Sequence, residues 1–129
     1  MTEAVLDASA LLALLRDEPG AEMVRKVLTA STMTAVNLAE VVGHFARNGV
    51  AEGDIHLVLD PLPFTVTPFD SALAFRSGVT LPATRSAGLS LGDRACLALA
   101  HRLGVPVLTA DRAWLTVAAD VGVEVVVIR

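Results

Sequence analysis

Apolar positions along the chain change period repeatedly, and the changes mark its elements. Short apolar or β-branched runs at residues 4–6, 32–34, 64–67 and 107–109, together with the terminal VEVVVIR, read as strands. Helical periodicity fills the intervals. Ser9 is placed to cap a helix over 10–16 that is apolar nearly all round and therefore buried. Residues 17–20 make a turn, and 21–28 form a second helix with Glu22, Arg25 and Lys26 outward. Over 35–48, Leu38, Val41, Val42 and Phe45 form an apolar stripe beside a polar one of Asn37, Glu40, His44 and Arg47, and Gly49 closes the helix. Residues 52–59 are helical, Pro61 and Pro63 break the chain, and Asp70 caps a helix over 71–77. The stretch 80–88 reads as a loop of small residues that carries Arg85.

The best-specified start lies in SLGDRACLALA. Ser90 is the N-cap and Asp93 completes a capping box, Cys96, Leu99, Ala100 and Leu103 repeat as a core-facing stripe, and Gly104 ends the helix. A further helix is expected over 112–120, with a turn at Gly122. Strands alternating with helices, most strands being continuous apolar runs, predict an α/β fold with a parallel sheet covered on both faces.

Composition narrows the setting. At 129 residues the chain reads as one domain, 1–129, able to bury a core without staples. The single cysteine, Cys96, excludes an internal disulfide framework and fits a reducing, cytoplasmic compartment. No basic segment precedes an apolar stretch at the start, so no signal peptide is expected, and the apolar runs fall far short of the ~20 residues of a membrane span. A hydrophobic content of 53% with mean hydropathy +0.61 leads us to expect a partner or second copy over part of the surface. The net charge of −4 opposes simple polyanion binding. Yet 14 acids less Asp7, Glu40, Asp93 and Asp111 leaves ten acids against 10 bases, a balanced surface if cations neutralised those four.

These four acids fall at matching points of the pattern. Asp7 and Asp111 follow strand ends, Glu40 lies about two turns into a helix after a strand end, and Asp93 opens a helix that feeds a strand. In an open parallel sheet such positions line one crevice where the strand order reverses. Clustered carboxylates repel and raise one another's pKa unless a hard cation sits among them. Mg²⁺ or Mn²⁺ prefers oxygen ligands, keeps several waters and can activate one against a phosphodiester, whereas zinc would want His or Cys. Each acid also has a structural explanation of its own: Asp7 and Asp111 as helix caps, Asp93 as the capping box, Glu40 as part of a polar stripe.

VLDASALLALL around Asp7, TAVNLAEV around Glu40, SLGDRACLALA around Asp93 and VLTADRAW around Asp111 resemble the four acidic motifs of PIN-domain ribonucleases. The resemblance is closest to the VapC toxins of bacterial VapBC toxin–antitoxin pairs and covers essentially the whole chain. It implies a three-layer α/β/α sandwich with a central parallel sheet of four to five strands. It also implies a homodimer, Mg²⁺- or Mn²⁺-dependent endoribonuclease activity that leaves 5′-phosphate and 3′-hydroxyl ends, and neutralisation by a VapB-like antitoxin inserting a C-terminal segment near the acids. Carried over by position, Asp7, Glu40, Asp93 and Asp111 bind metal, while Ser9 and Thr109 support the first and last acids. Many members carry a further acid two residues beyond the last; here that residue is Ala113.

Other residues are assigned more modest roles. His44, about 6 Å along the helix from Glu40, reads as a solvated histidine, and His101 lies too far from Asp93 to join it. Trp114, with four phenylalanines and no tyrosine, offers no base-stacking platform, which leaves RNA shape and backbone to be recognised. Arg85 and Arg112 are the candidates for phosphate contact. A PIN-fold binding protein without turnover is the main alternative, and Ala113 is its support. A receiver-like phosphoacceptor would want adjacent acids and a late lysine, but the only lysine is Lys26; an aspartyl phosphatase would want an acid where Ser9 stands.

Overall fold

The computed structural model describes residues 1–129. Five parallel strands form one sheet in the order β3-β2-β1-β4-β5. In chain order the elements are β1 (Ala4–Leu6), α1 (Ala8–Leu15), α2 (Ala21–Val27), β2 (Ser31–Thr34), α3 (Ala35–Arg47), α4 (Glu52–Leu59), β3 (Thr65–Thr67), α5 (Ser71–Val79), α6 (Leu81–Thr84), α7 (Leu91–Leu103), β4 (Val107–Thr109), α8 (Ala118–Val121) and β5 (Val125–Val127). Short 3₁₀ turns at Leu28–Ala30, Arg85–Ala87 and Arg112–Thr116 join some of them.

The pleat of the strands sorts side chains into two cores, and this makes the sandwich three layers deep. Ala4 and Leu6 pack with Leu11, Val24, Met33, Val41 and Ile55 on one face, beneath α1 to α4. Val5 and Val107 pack with Leu73, Cys96, Leu97, Leu99 and Trp114 on the other, beneath α5 and α7. The two middle layers of contact need apolar residues at every position of β1, and all three of its residues are buried. Gly20, at φ 98°, lies so close to the backbone of Ile128 that any Cβ there would collide, which joins the start of α2 to the chain after β5.

Several sequence expectations are corrected. Asp7, not Ser9, caps α1: its backbone is extended and its side chain accepts from the Ala10 amide, so the helix starts two residues earlier. The expected loop at 80–88 holds α6 and a 3₁₀ turn, because Pro82 sits in the first helical turn where its missing N–H costs nothing. The helix expected over 112–120 is split at Val117 into a 3₁₀ turn and α8. Leu103 is 40% exposed rather than in the core, since it sits in the last turn of α7, beyond the sheet. β5 is only half-buried, because it is an edge strand with one neighbour.

Candidate active site

The chain leaves β1 toward β2 and β3 on one side and returns to β4 and β5 on the other, so the strand order reverses between β1 and β4. Crevices at such points gather residues from the carboxyl ends of both strands. Asp7 follows β1 directly, and Asp111 follows β4 by two residues.

Asp7 is the anchor. It is only 5% exposed. Its Oδ1 accepts from the Ala10 amide at 2.8 Å and the Ser9 hydroxyl at 2.7 Å, and its Oδ2 accepts from the Thr109 hydroxyl at 2.8 Å. Burial pushes its carboxyl up to about 6; the Ser9, Ala10 and Thr109 hydrogen bonds oppose that rise, and repulsion from Asp93 adds to it. The same hydroxyls tie the two strand ends together: Ser9 Oγ accepts from the Ala110 amide at 2.9 Å, and Thr109 Oγ1 accepts from the Asp111 amide at 3.0 Å.

Asp93 reaches the crevice from the first turn of α7. The capping box is formed, with the Asp93 amide donating to Ser90 Oγ at 3.2 Å and the Ser90 amide donating to Asp93 Oδ2 at 2.9 Å. Only Oδ2 is engaged, which leaves Oδ1 for other work. Partial burial raises its pKa against the Ser90 hydrogen bonds, and Asp111 adds repulsion. Asp111 itself is exposed and holds one oxygen on the Ala113 amide at 2.9 Å.

Glu40 arrives from α3 by a buried relay that the sequence pattern did not single out. Thr34 caps α3 and donates its hydroxyl to Asn37 Oδ1 at 2.7 Å. Asn37, 1% exposed, donates from Nδ2 to Glu40 Oε1 at 2.8 Å and to the Gly92 carbonyl at 3.0 Å. Gly92, next to Asp93, has no side chain, and a Cβ there would lie inside contact distance of the Glu40 carboxylate. Asn37 thus couples the second acid to the helix of the third. The signals were present in the polar stripe of α3 and in the glycine of SLGD, but their meaning depended on α3 packing against α7.

Burial pushes the Cys96 thiol well up, and the negative charges of Asp7, Asp93 and Glu40 add to that rise. No three His, Cys, Asp or Glu side chains are grouped so that they could hold one ion between them. A hard cation that keeps most of its waters needs only one or two direct carboxylates; the unengaged oxygens of Asp93 and Asp111 fit that mode, while Asp7, with both oxygens hydrogen-bonded, contributes its charge. The 3₁₀ turns that carry Arg85 and Arg112 pack together beside Asp111, with both arginines exposed. His101 lies apart, its Nε2 3.0 Å from Arg76.

The family model of the PIN domain matches residues 4–120. The chain belongs to the PIN-domain family. Among solved structures, this PIN domain is similar to DNA-bound VapBC from Salmonella typhimurium, at 15% identity over 100% of both chains with a TM-score of 0.77. It is also similar to a toxin–antitoxin complex from Klebsiella pneumoniae, at 17% identity over 98% of both chains with a TM-score of 0.74. FitAcB from Neisseria gonorrhoeae is 19% identical over 97% of both chains, with a TM-score of 0.73. At these identities the likeness is one of fold. No curated protein matches the chain. PIN domains are nucleases as a family, and in this one Asp7 and Asp111 follow the carboxyl ends of the two strands between which the order reverses.

Proposed function

We propose that this PIN domain is a Mg²⁺- or Mn²⁺-dependent endoribonuclease acting as the toxin of a toxin–antitoxin pair, with Asp7, Glu40, Asp93 and Asp111 as its catalytic acids. The observation that carries the reading is Asp7: a buried carboxylate held at the sheet's switch point although burial raises its pKa to about 6. The cap and hydrogen bonds recover only part of the cost of burying that charge, and a cation beside it would offset the rest. When bound, the ion lowers the pKa of an attacking water and stabilises the leaving 3′ oxygen. The chain's own part is positional. Ser9 and Thr109 fix Asp7, the capping box fixes Asp93, Asn37 fixes Glu40, and Arg85 and Arg112 flank the Asp111 side for backbone phosphate.

The Salmonella and Klebsiella structures are toxin–antitoxin assemblies, which supports a VapB-like antitoxin as partner. Phe75 on α5 is 77% exposed and Leu57 on α4 is 74% exposed, apolar surface that supports a homodimer or antitoxin contact. No helix is long and apolar enough to cross a membrane, and we place the protein in the cytoplasm on the strength of its toxin-like fold. Incubation with total host RNA, mapping new 5′ ends with metal, with chelator and with Asp93→Asn, tests the reading. Discrete ends that need both metal and Asp93 are expected. A folded protein that binds metal but leaves RNA intact would favour the second reading, a PIN-fold binding protein, for which Ala113 in place of a further acid is the specific support.

A further inference from the structure

We propose that Arg16, His44 and Arg47 form a subsite for an RNA backbone phosphate one helical turn along α3 from the acid pocket. The inference rests on the ribonuclease reading and adds to it a binding site distinct from Arg85 and Arg112.

His44 is half-buried rather than freely solvated, with its ring edge-on to Phe45 at 5.7 Å. Both of its ring nitrogens face guanidinium groups. Arg16 Nη1 lies 3.4 Å from Nε2, and Arg47 Nη2 lies 3.4 Å from Nδ1. A neutral imidazole has one N–H and one lone pair, so it can accept from only one of these arginines. The other contact sets donor against donor, and protonation of the ring would make both so.

The surrounding charge does not resolve the conflict. Arg47 makes no ion pair, and Arg16 shares Glu18 with Arg129, at 3.7 Å and 3.4 Å. Arg16 and Arg129 thus share one carboxylate, and the His44 ring and Arg47 have none. The missing component is an acceptor with several oxygens, able to take a guanidinium fork and an imidazole N–H together. A phosphate diester meets that description.

Position selects a backbone phosphate over a free anion. His44 follows Glu40 by one turn, about 6 Å of rise, close to the step between successive phosphates of an RNA strand. A strand with its reacting phosphate over the acids therefore brings the next one onto His44 and Arg47. Glu40, His44 and Arg47 share the polar stripe of α3, and Glu40 and Arg47 are exposed.

The test measures binding of labelled short fragments of total host RNA in chelator, which prevents metal-dependent turnover, by anisotropy across a salt series. Arg47→Ala is expected to weaken binding about five- to tenfold and to lower the slope of log Kd against log salt by about one; Arg47→Lys should restore the slope. His44→Ala should weaken binding less and leave the slope nearly unchanged. Both positions lie on the outer face of α3, and unchanged thermal melts would establish that the variants fold. If the parent binds RNA and both alanine variants bind it with equal affinity and slope, the subsite is overturned while the nuclease reading stands. If the parent neither binds nor cuts RNA, both are overturned. If the two variants lose affinity for a hexaglutamate peptide as much as for RNA, the patch belongs to an acidic peptide and the proposal is wrong.

Discussion

Replacing Asp7 by Asn should make the folded protein more stable at neutral pH while removing its activity. Burial pushes the Asp7 carboxyl up to about 6 from the ordinary 3.8 of an aspartate, a rise of roughly two pH units. Each unit corresponds to about 1.4 kcal/mol, so ionised Asp7 costs the native state about 3 kcal/mol above pH 6. Asn removes that cost and retains an oxygen for the Ala10 amide, since Asn caps helices as well as Asp does. It weakens the hydrogen bonds from Ser9 and Thr109, whose hydroxyls must turn to meet an NH₂ group; about 1 kcal/mol is a reasonable loss for neutral partners. The net expectation is a gain of about 1–2 kcal/mol at pH 7.5.

The pH dependence gives the prediction its sign. Because the folded pKa is raised, the native state binds more protons than the unfolded chain between pH 4 and 6. Asp7's contribution to stability is therefore most favourable below about pH 4 and is lost as pH rises through 6. Urea titrations of parent and Asp7→Asn at pH 4.5 and 7.5, without divalent ions, should show the variant's advantage at 7.5 and its disappearance at 4.5. Added Mg²⁺ should then stabilise the parent by mass action, about 2.7 kcal/mol at a hundredfold excess over Kd, and leave the variant nearly unmoved. A variant less stable than the parent at pH 7.5 would refute the argument, because it would mean that the charge contributes to the fold.

Three further outcomes check the surrounding structure. Gly92→Ala should lower RNA cleavage at least tenfold with less than about 1 kcal/mol lost in a urea melt, because the new methyl displaces the flexible Glu40 carboxylate rather than backbone. Asn37→Ala should cost about 2 kcal/mol in the same melt and reduce kcat, since it leaves the buried Thr34 hydroxyl without its acceptor, removes the tie to α7 at Gly92 and frees Glu40. Cys96, fully buried with its thiol pushed well up by burial, should resist iodoacetamide in the native protein and react at once in denaturant.

The elements that sequence patterning captured are those whose cause is local. The capping box of α7 is written in four consecutive residues, Ser90 to Asp93, and it forms as expected. The hydrophobic run of β1 required burial on both faces, which predicted the parallel sheet and, through it, the placing of Asp7 and Asp111 at strand ends. Where two local readings competed, pattern had no means of choosing. Asp7 and Ser9 are both good N-caps two residues apart, and the choice was made by β1 ending at Leu6, which leaves Asp7 extended and Ser9 free to brace it. Asn37 was invisible for a different reason. It shares its stripe with exposed Glu40 and Arg47, and only the arrival of Gly92 from 55 residues away turns a surface amide into a buried relay.

The Asp111 side of the pocket shows how one missing side chain redistributes work. Ala113 supplies no carboxylate, but its amide donates to Asp111 Oδ1 and so fixes the orientation of the acid two residues before it. One Asp111 oxygen is committed to the turn, and one Asp93 oxygen is committed to the cap of α7. On the proposed reading, the protein therefore offers a cation on this side one free oxygen from each of two half-engaged acids. Asp7, braced on both oxygens by Ser9 and Thr109 and buried, offers the stronger field. On that reading the pocket would be graded rather than symmetric: the buried charge of Asp7 would hold a cation more firmly, and a weaker site toward Asp111 would be completed by an RNA phosphate drawn in by Arg85 and Arg112. A single strong metal-binding step without RNA, followed by a second only when RNA is present, is the behaviour this gradient implies.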